Sequence, residues 1–149
     1  MVVVANHPFG GIEGVILLAL LRRIRPDVKA MANYLLSAIP EMRDDFIFVD
    51  PFASKNSAKA NLRPIKESMG WLKDGHLLIV FPSGEVSSFD RRTLRVRDPA
   101  WSASIAALTR KTNATVVPMF FPGRNSIFFN LVGLLPPRFR TSLLPRQLA

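Results

Sequence analysis

Five short, mostly apolar runs dictate what this chain can become. Residues 1–5, 28–32, 46–49, 76–81 and 115–121 are too short for core helices, and most are closed by Pro, Gly, Asn or Asp. Between them lie segments with helical character. Residues 13–24 carry Glu13 in the first turn and Arg22, Arg23 and Arg25 at the end, as the helix dipole favours, and stop at Pro26. A second helix is expected to open at Pro64, with Ile65, Met69 and Leu72 on one face and Gly75 as its stop. Trp101, Ile105 and Leu108 mark a third, running to about Thr112. Nearly all-apolar strands that alternate with helices need cover on both faces and the long crossovers of parallel pairing. The expected fold is therefore α/β: one layered domain over residues 1–149, a mostly parallel central sheet flanked by helices. No repeat, low-complexity tract or linker interrupts it.

In an open parallel sheet the chemistry collects at the C-terminal ends of the strands. Three such ends draw attention: Asn6-His7-Pro8-Phe9-Gly10-Gly11-Ile12-Glu13, Phe81-Pro82-Ser83-Gly84-Glu85-Val86-Ser87, and the stretch from Val117 to Ser126 containing Arg124 and Asn125. In the first, a Pro/Gly-rich reversal returns a carboxylate, Glu13, beside an imidazole, His7. Gly10 and Gly11 let the backbone turn sharply and let a ligand come close. A carboxylate there fixes the ring's tautomer and stabilises the imidazolium formed when it takes a proton. With no cysteine in the chain and no serine in a G-x-S-x-G elbow, the hydroxyl that loses the proton is expected on the substrate. The same residues also fit a plain reading, a hydrogen-bonded turn histidine and an acid complementing a helix N-terminus. Spacing offers no third ligand for a metal.

Charge narrows the partners. Residues 1–75 hold ten Lys/Arg against eight Asp/Glu, net +2, and residues 76–149 hold ten against three, net +7, with no acid after Asp98. A basic half suits nucleic acid, an anionic membrane surface or a phosphate-bearing substrate. The longest apolar run, 15–21, falls short of the ~18 residues a membrane span needs and lacks the basic start of a secretory signal. Absence of cysteine removes disulfides, thiolate metal sites and a cysteine nucleophile.

The string VVVA-NHPFGGIEG resembles the first block of the lysophospholipid acyltransferase family, which includes the 1-acylglycerol-3-phosphate acyltransferases, and more closely its hemolysin and ornithine-lipid acyltransferase branch, NHP-x-GG-x-DG. The wider family has His-x4-Asp. Here five residues separate His7 from the acid, as in the branch, and Glu13 stands in place of Asp. FPSGEVS resembles the block FPEGTRS in its branch form FP-x-GEVS; Ser83 replaces the family's Glu, the acid moves to Glu85 and the block's Arg is Val86. VVPMFFPGRNS resembles the final block, and Asp98-Pro99-Ala100-Trp101 and the 46–52 run ending in DPF match the branch in position.

Three blocks in order across most of the chain imply a glycerolipid acyltransferase-like fold and an O-acyltransferase. The resemblance assigns His7 and Glu13 as the catalytic pair. It places Asn6, Pro8, Phe9, Gly10, Gly11, Pro82, Ser83, Gly84, Glu85, Arg91, Arg92, Arg124 and Asn125 around the substrates, with backbone N–H groups near Ser83-Gly84 and nearby arginines (Arg95 and Arg97 also follow the block) holding anionic parts. It implies acyl-CoA or acyl carrier protein as co-substrate, no metal or redox cofactor, a lysophospholipid or lyso-ornithine lipid acceptor, and peripheral work on the cytoplasmic side of a membrane (the inner membrane in bacteria) rather than on nucleic acid. Family members usually carry helices ahead of the first block, so the chain is expected to be the catalytic core of a longer pattern. Two other classes fit the residues: a basic module binding nucleic acid or anionic membrane without catalysis, and a hydrolase in which water replaces the alcohol.

Overall fold

The computed structural model describes residues 1–50, 57–90 and 92–126. Strand β1 (Val2–Ala5) leads into helix α1 (Gly11–Arg22), then β2 (Val28–Asn33), two 3-10 turns (Tyr34–Ala38 and Pro40–Met42) and β3 (Phe46–Val49). There follow α2 (Ser57–Ala60), α3 (Leu62–Lys73), β4 (Leu77–Val80), β5 (Ser88–Asp90), β6 (Arg95–Arg97), α4 (Ala103–Thr112) and β7 (Val116–Met119). Five strands form a parallel sheet in the order β3-β2-β4-β1-β7, and β5 pairs antiparallel with β6. The expected α/β architecture with a mostly parallel sheet is what forms.

Strand periodicity builds two half-cores. Val3, Ala5, Leu77 and Ile79 face Leu17, Leu18 and Leu21 of α1, while Val2, Val4, Leu78 and Val80 face Leu72 of α3 and Leu108 of α4. Helical cover on both faces explains why β1 and β4 are apolar at every position. Each such side chain contributes about 1.5–3 kcal/mol on burial, so these layers hold the sheet together. The register aligns Val4 with Val80 on one side and with Pro118 on the other. The loops after β4, β1 and β7 therefore leave the same sheet edge side by side.

Several details depart from expectation. α1 starts at Gly11 rather than at Glu13 and ends at Arg22, because Gly10, at φ +93°, makes the reversal that admits the first turn earlier. The second helix begins at Leu62, so Pro64 lies inside its first turn. Trp101 is outside α4: Ser102 caps that helix by accepting the Ser104 N–H, which leaves the indole half-exposed ahead of the cap. In β7, Val117 and Met119 pack on the α1-side core, but Val116 is exposed, as befits a strand with one described neighbour. Of the DPF stretch, Pro51 and Phe52 lie outside the described residues.

Candidate active site

β1 ends at Ala5, and Asn6 takes the chain across the sheet edge. The Asn6 side-chain amide donates to the Phe121 carbonyl at 2.9 Å and accepts the Phe121 N–H at 2.7 Å, extending the β1–β7 pairing with a side chain. Asn6 thus fastens the third loop to the first. Pro8 gives its carbonyl to the Asn125 amide at 3.0 Å, and the Phe9 ring packs so tightly on Gly123 that a Cβ there would lie 2.6 Å from it. These contacts assign Asn6, Pro8, Phe9 and Asn125 to holding two loops together.

Glu13 is the third residue of α1 and is fully buried. Its Oε1 accepts the Phe9 N–H at 2.5 Å, which fixes the carboxylate, and its Oε2 faces His7 Nδ1 at 3.7 Å. Neither Oε2 nor Nδ1 has a hydrogen-bond partner, and both atoms are buried. At 3.7 Å the two are slightly too far apart for a hydrogen bond, a spacing that often tightens only when substrate binds. Phe81, the first residue after β4, stacks on the imidazole with centroids 4.3 Å apart and planes 28° from parallel. Burial against that ring pulls the His7 pKa down to about 4, with the Asp98 charge acting in the opposite direction. Burial likewise pushes the Glu13 carboxyl above the usual carboxylate range, partly offset by the N–H groups of Phe9, Glu13 and Gly10. The result is a neutral histidine at physiological pH with an acid waiting behind one nitrogen.

In the second loop, Gly84 (φ +67°) donates its N–H to the Phe81 carbonyl at 3.0 Å, and Ser83 Oγ donates to the Glu85 carbonyl at 2.8 Å. The Gly84 N–H expected to meet a substrate anion is spent closing this turn. Pro82 is buried and accepts the Ser102 N–H at 2.9 Å; Ser87 donates its N–H to the His7 carbonyl at 2.9 Å. The chain then forms the β5–β6 hairpin, invisible in the sequence pattern. Arg92 is exposed at its turn, Arg91 lies outside the described residues, and Arg124 is exposed beside Asn125.

The hairpin delivers a residue whose position matched but to which no role was attached. Asp98 Oδ1 accepts the His7 N–H at 3.2 Å and the Ser87 hydroxyl, and Oδ2 accepts the Trp101 indole N–H at 3.1 Å. A groove of about 580 Å³ opens beside it, bordered by Asn6, Ser87, Arg97, Asp98, Trp101 and Phe120. Among the described residues, Arg97, paired with Asp90 at 2.7 Å, is the hairpin arginine that borders this groove, and Arg92 at the tip does not. No group of three or more His, Cys, Asp or Glu able to hold a metal occurs among the described residues.

Comparison with known proteins fits this geometry. Residues 1–140 match a family described as acyltransferase. A lyso-glycine lipid O-acyltransferase of Phocaeicola vulgatus is 30% identical over 146 residues, 95% of this chain and 50% of that protein. One of the same name from Bacteroides thetaiotaomicron is also 30% identical over 146 residues, 95% of this chain and 51% of that protein. The chain spans about half the length of these relatives.

Proposed function

The chain belongs to the acyltransferase family, and on that premise we propose that it moves a fatty acyl group from acyl-CoA or acyl carrier protein to the free hydroxyl of a lysolipid. The observation that carries this reading is the buried His7–Glu13 pair in the loop after β1. With Nδ1 keeping its proton toward Glu13, Nε2 holds the lone pair that takes the acceptor's hydroxyl proton. The oxygen attacks the thioester carbonyl, the tetrahedral intermediate collapses, and the departing thiolate recovers the proton from His7. Proton and acyl group are both conserved, and the imidazole ends as it began.

The two lyso-glycine lipid O-acyltransferases among its relatives favour an amino-acid lipid such as a lyso-glycine lipid as acceptor, ahead of a lysophospholipid, and a lyso-ornithine lipid is of the same chemical class. Among the described residues, Arg97 at the groove and Arg124 in the third loop are cations that could meet an anionic head group. Such an acceptor resides in a membrane, and the reading includes peripheral docking on its cytoplasmic face. Val15, Ile16 and Leu20 on the outer side of α1, each about half exposed, support it.

Radiolabelled acyl transfer from acyl-CoA and from acyl carrier protein to a panel of lysolipids tests the proposal, with His7→Ala as control. Label is expected in the lipid product with the wild-type chain and not with the variant. Transfer that persists in His7→Ala refutes the pair's role; free fatty acid as the sole product replaces the transferase with a hydrolase.

A further inference from the structure

We propose that Asp98 is a positioning residue for His7: one carboxylate ties the His7 backbone, the Ser87 hydroxyl and the Trp101 indole into a single unit and sets a negative charge beside the imidazole. The inference rests on the acyl-transfer reading for its kinetic arm. Three donors from three separate segments converge on these two oxygens: the β1 loop through His7, the β4 loop through Ser87, and the stretch before α4 through Trp101. Hydrogen bonds to a carboxylate are stronger than those between neutral groups, so the three tie these segments firmly. Asp98, Ser87 and Trp101 also border the groove that opens beside Asn6, the residue next to His7. Among the described residues, the charged groups on the segments around His7 are Glu13 on α1, Glu85 after β4, Asp90, Arg92, Arg95 and Arg97 on the hairpin, Arg124 after β7 and Asp98 itself. Arg97 is exposed and pairs with Asp90. The Asp98 charge supports the protonated form of the histidine against burial.

The role follows from when that charge matters. In the resting enzyme His7 is neutral and Asp98 only orients it. As the ring takes the hydroxyl proton, an imidazolium forms with Glu13 Oε2 facing Nδ1 and with Asp98 bound to the same residue's backbone N–H, and the Asp98 charge stabilises it.

Asp98→Asn separates this role from a merely structural one. The amide keeps an oxygen for His7 and Ser87 and removes the charge, but its NH2 cannot accept the indole N–H, so Trp101→Phe, which loses that bond and keeps the charge, is measured beside it as the structural control. The expected result is a kcat lower by about 10- to 100-fold with KM within about threefold, and an acid limb of the kcat profile moved to lower pH by about one unit. A structural role predicts a lower melting temperature and activity in proportion to the folded fraction, with the limb unmoved; that outcome overturns the proposal. The chain has two histidines, so NMR titration of the His7 imidazole reads the same shift without substrate. If the wild-type chain transfers no acyl group, the activity reading fails and the titration still decides: an unchanged His7 midpoint in Asp98→Asn overturns the role, and a lowered one supports it. If Asp98→Asn does not fold, Ser87→Ala and Trp101→Phe replace it. A double variant no worse than the poorer single variant supports one carboxylate-held unit, and additive losses overturn it.

Discussion

Glu13→Gln is the substitution that isolates the proton from the shape. Glu13 Oε1 lies 2.5 Å from the Phe9 nitrogen and Oε2 lies 3.7 Å from His7 Nδ1. A glutamine must keep its carbonyl oxygen on the Phe9 N–H, because an NH2 there would set donor against donor. Its NH2 therefore faces Nδ1, which becomes an acceptor, and the ring proton moves to Nε2, the nitrogen that must be bare. Wrong-tautomer variants of this kind lose about 10²- to 10⁴-fold in kcat, or about 3–5 kcal/mol of transition-state stabilisation. Stability should move the other way. A carboxyl whose folded pKa lies above its unfolded one contributes stability below the unfolded value of 4.5 and loses it as pH rises through the folded pKa. Above that range burial penalises the ionisable carboxyl, and glutamine removes the penalty. Thermal melts at pH 7 are expected to place Glu13→Gln at or above wild type, with the difference vanishing toward pH 4, while acyl transfer collapses. A variant within threefold of wild-type kcat, or one whose activity falls only with its melting temperature, refutes the tautomer argument.

His7 supplies its own pH signature. With a folded pKa of about 4 against 6.5 unfolded, its contribution is complete above about pH 6.5 and is lost as pH falls to 4, about 3 kcal/mol in all. Urea unfolding at pH 7 and 4.5 should therefore show a smaller loss for His7→Gln than for wild type, Glu13 acting alike in both. Gly123→Ala drives a Cβ into the Phe9 ring at 2.6 Å and strains a φ of +119°; a cost of about 1–3 kcal/mol is expected by chemical denaturation, with lost activity because Phe9 also holds Glu13. Asn6→Ala breaks both hydrogen bonds to the Phe121 backbone and is expected to cost about 1–3 kcal/mol, with amide exchange at Phe121 accelerated as the check.

What was legible in the sequence is what local physics fixes. The run VVVA can only be a strand buried on both faces, and LLIV repeats that statement, so the sheet's centre followed from two tetrapeptides. His7 and Glu13 were legible because a strand end, a glycine reversal and a first helical turn lie within eight residues. The β5–β6 hairpin was not, since Ser88–Asp90 and Arg95–Arg97 are short and largely polar and offer no alternation to read. Without the hairpin, Arg92 and Arg97 look equivalent; with it, one is at the tip and the other at the groove. Asp98 was hidden for another reason. Its first partner is 91 residues away, and no spacing rule connects them.

The depressed basicity of His7 and the carboxylates around it resolve into one device. A histidine near pKa 4 is neutral across the physiological range, so it is always ready to accept a proton, but on its own it is a weak base. A more basic ring would spend part of its time protonated and useless. Burial against Phe81 keeps the resting ring neutral, and the two carboxylates act most strongly on the charge that appears only as the proton arrives. Their stabilisation is therefore weighted toward the transition state. In the proposed reaction, rate should depend on Glu13 and Asp98 far more than substrate affinity does, and because Glu13 is fully enclosed and Asp98 partly so, that dependence should change little with ionic strength. Steep loss of kcat with added salt at constant KM would place the governing charges on the surface instead, among the arginines of the basic half.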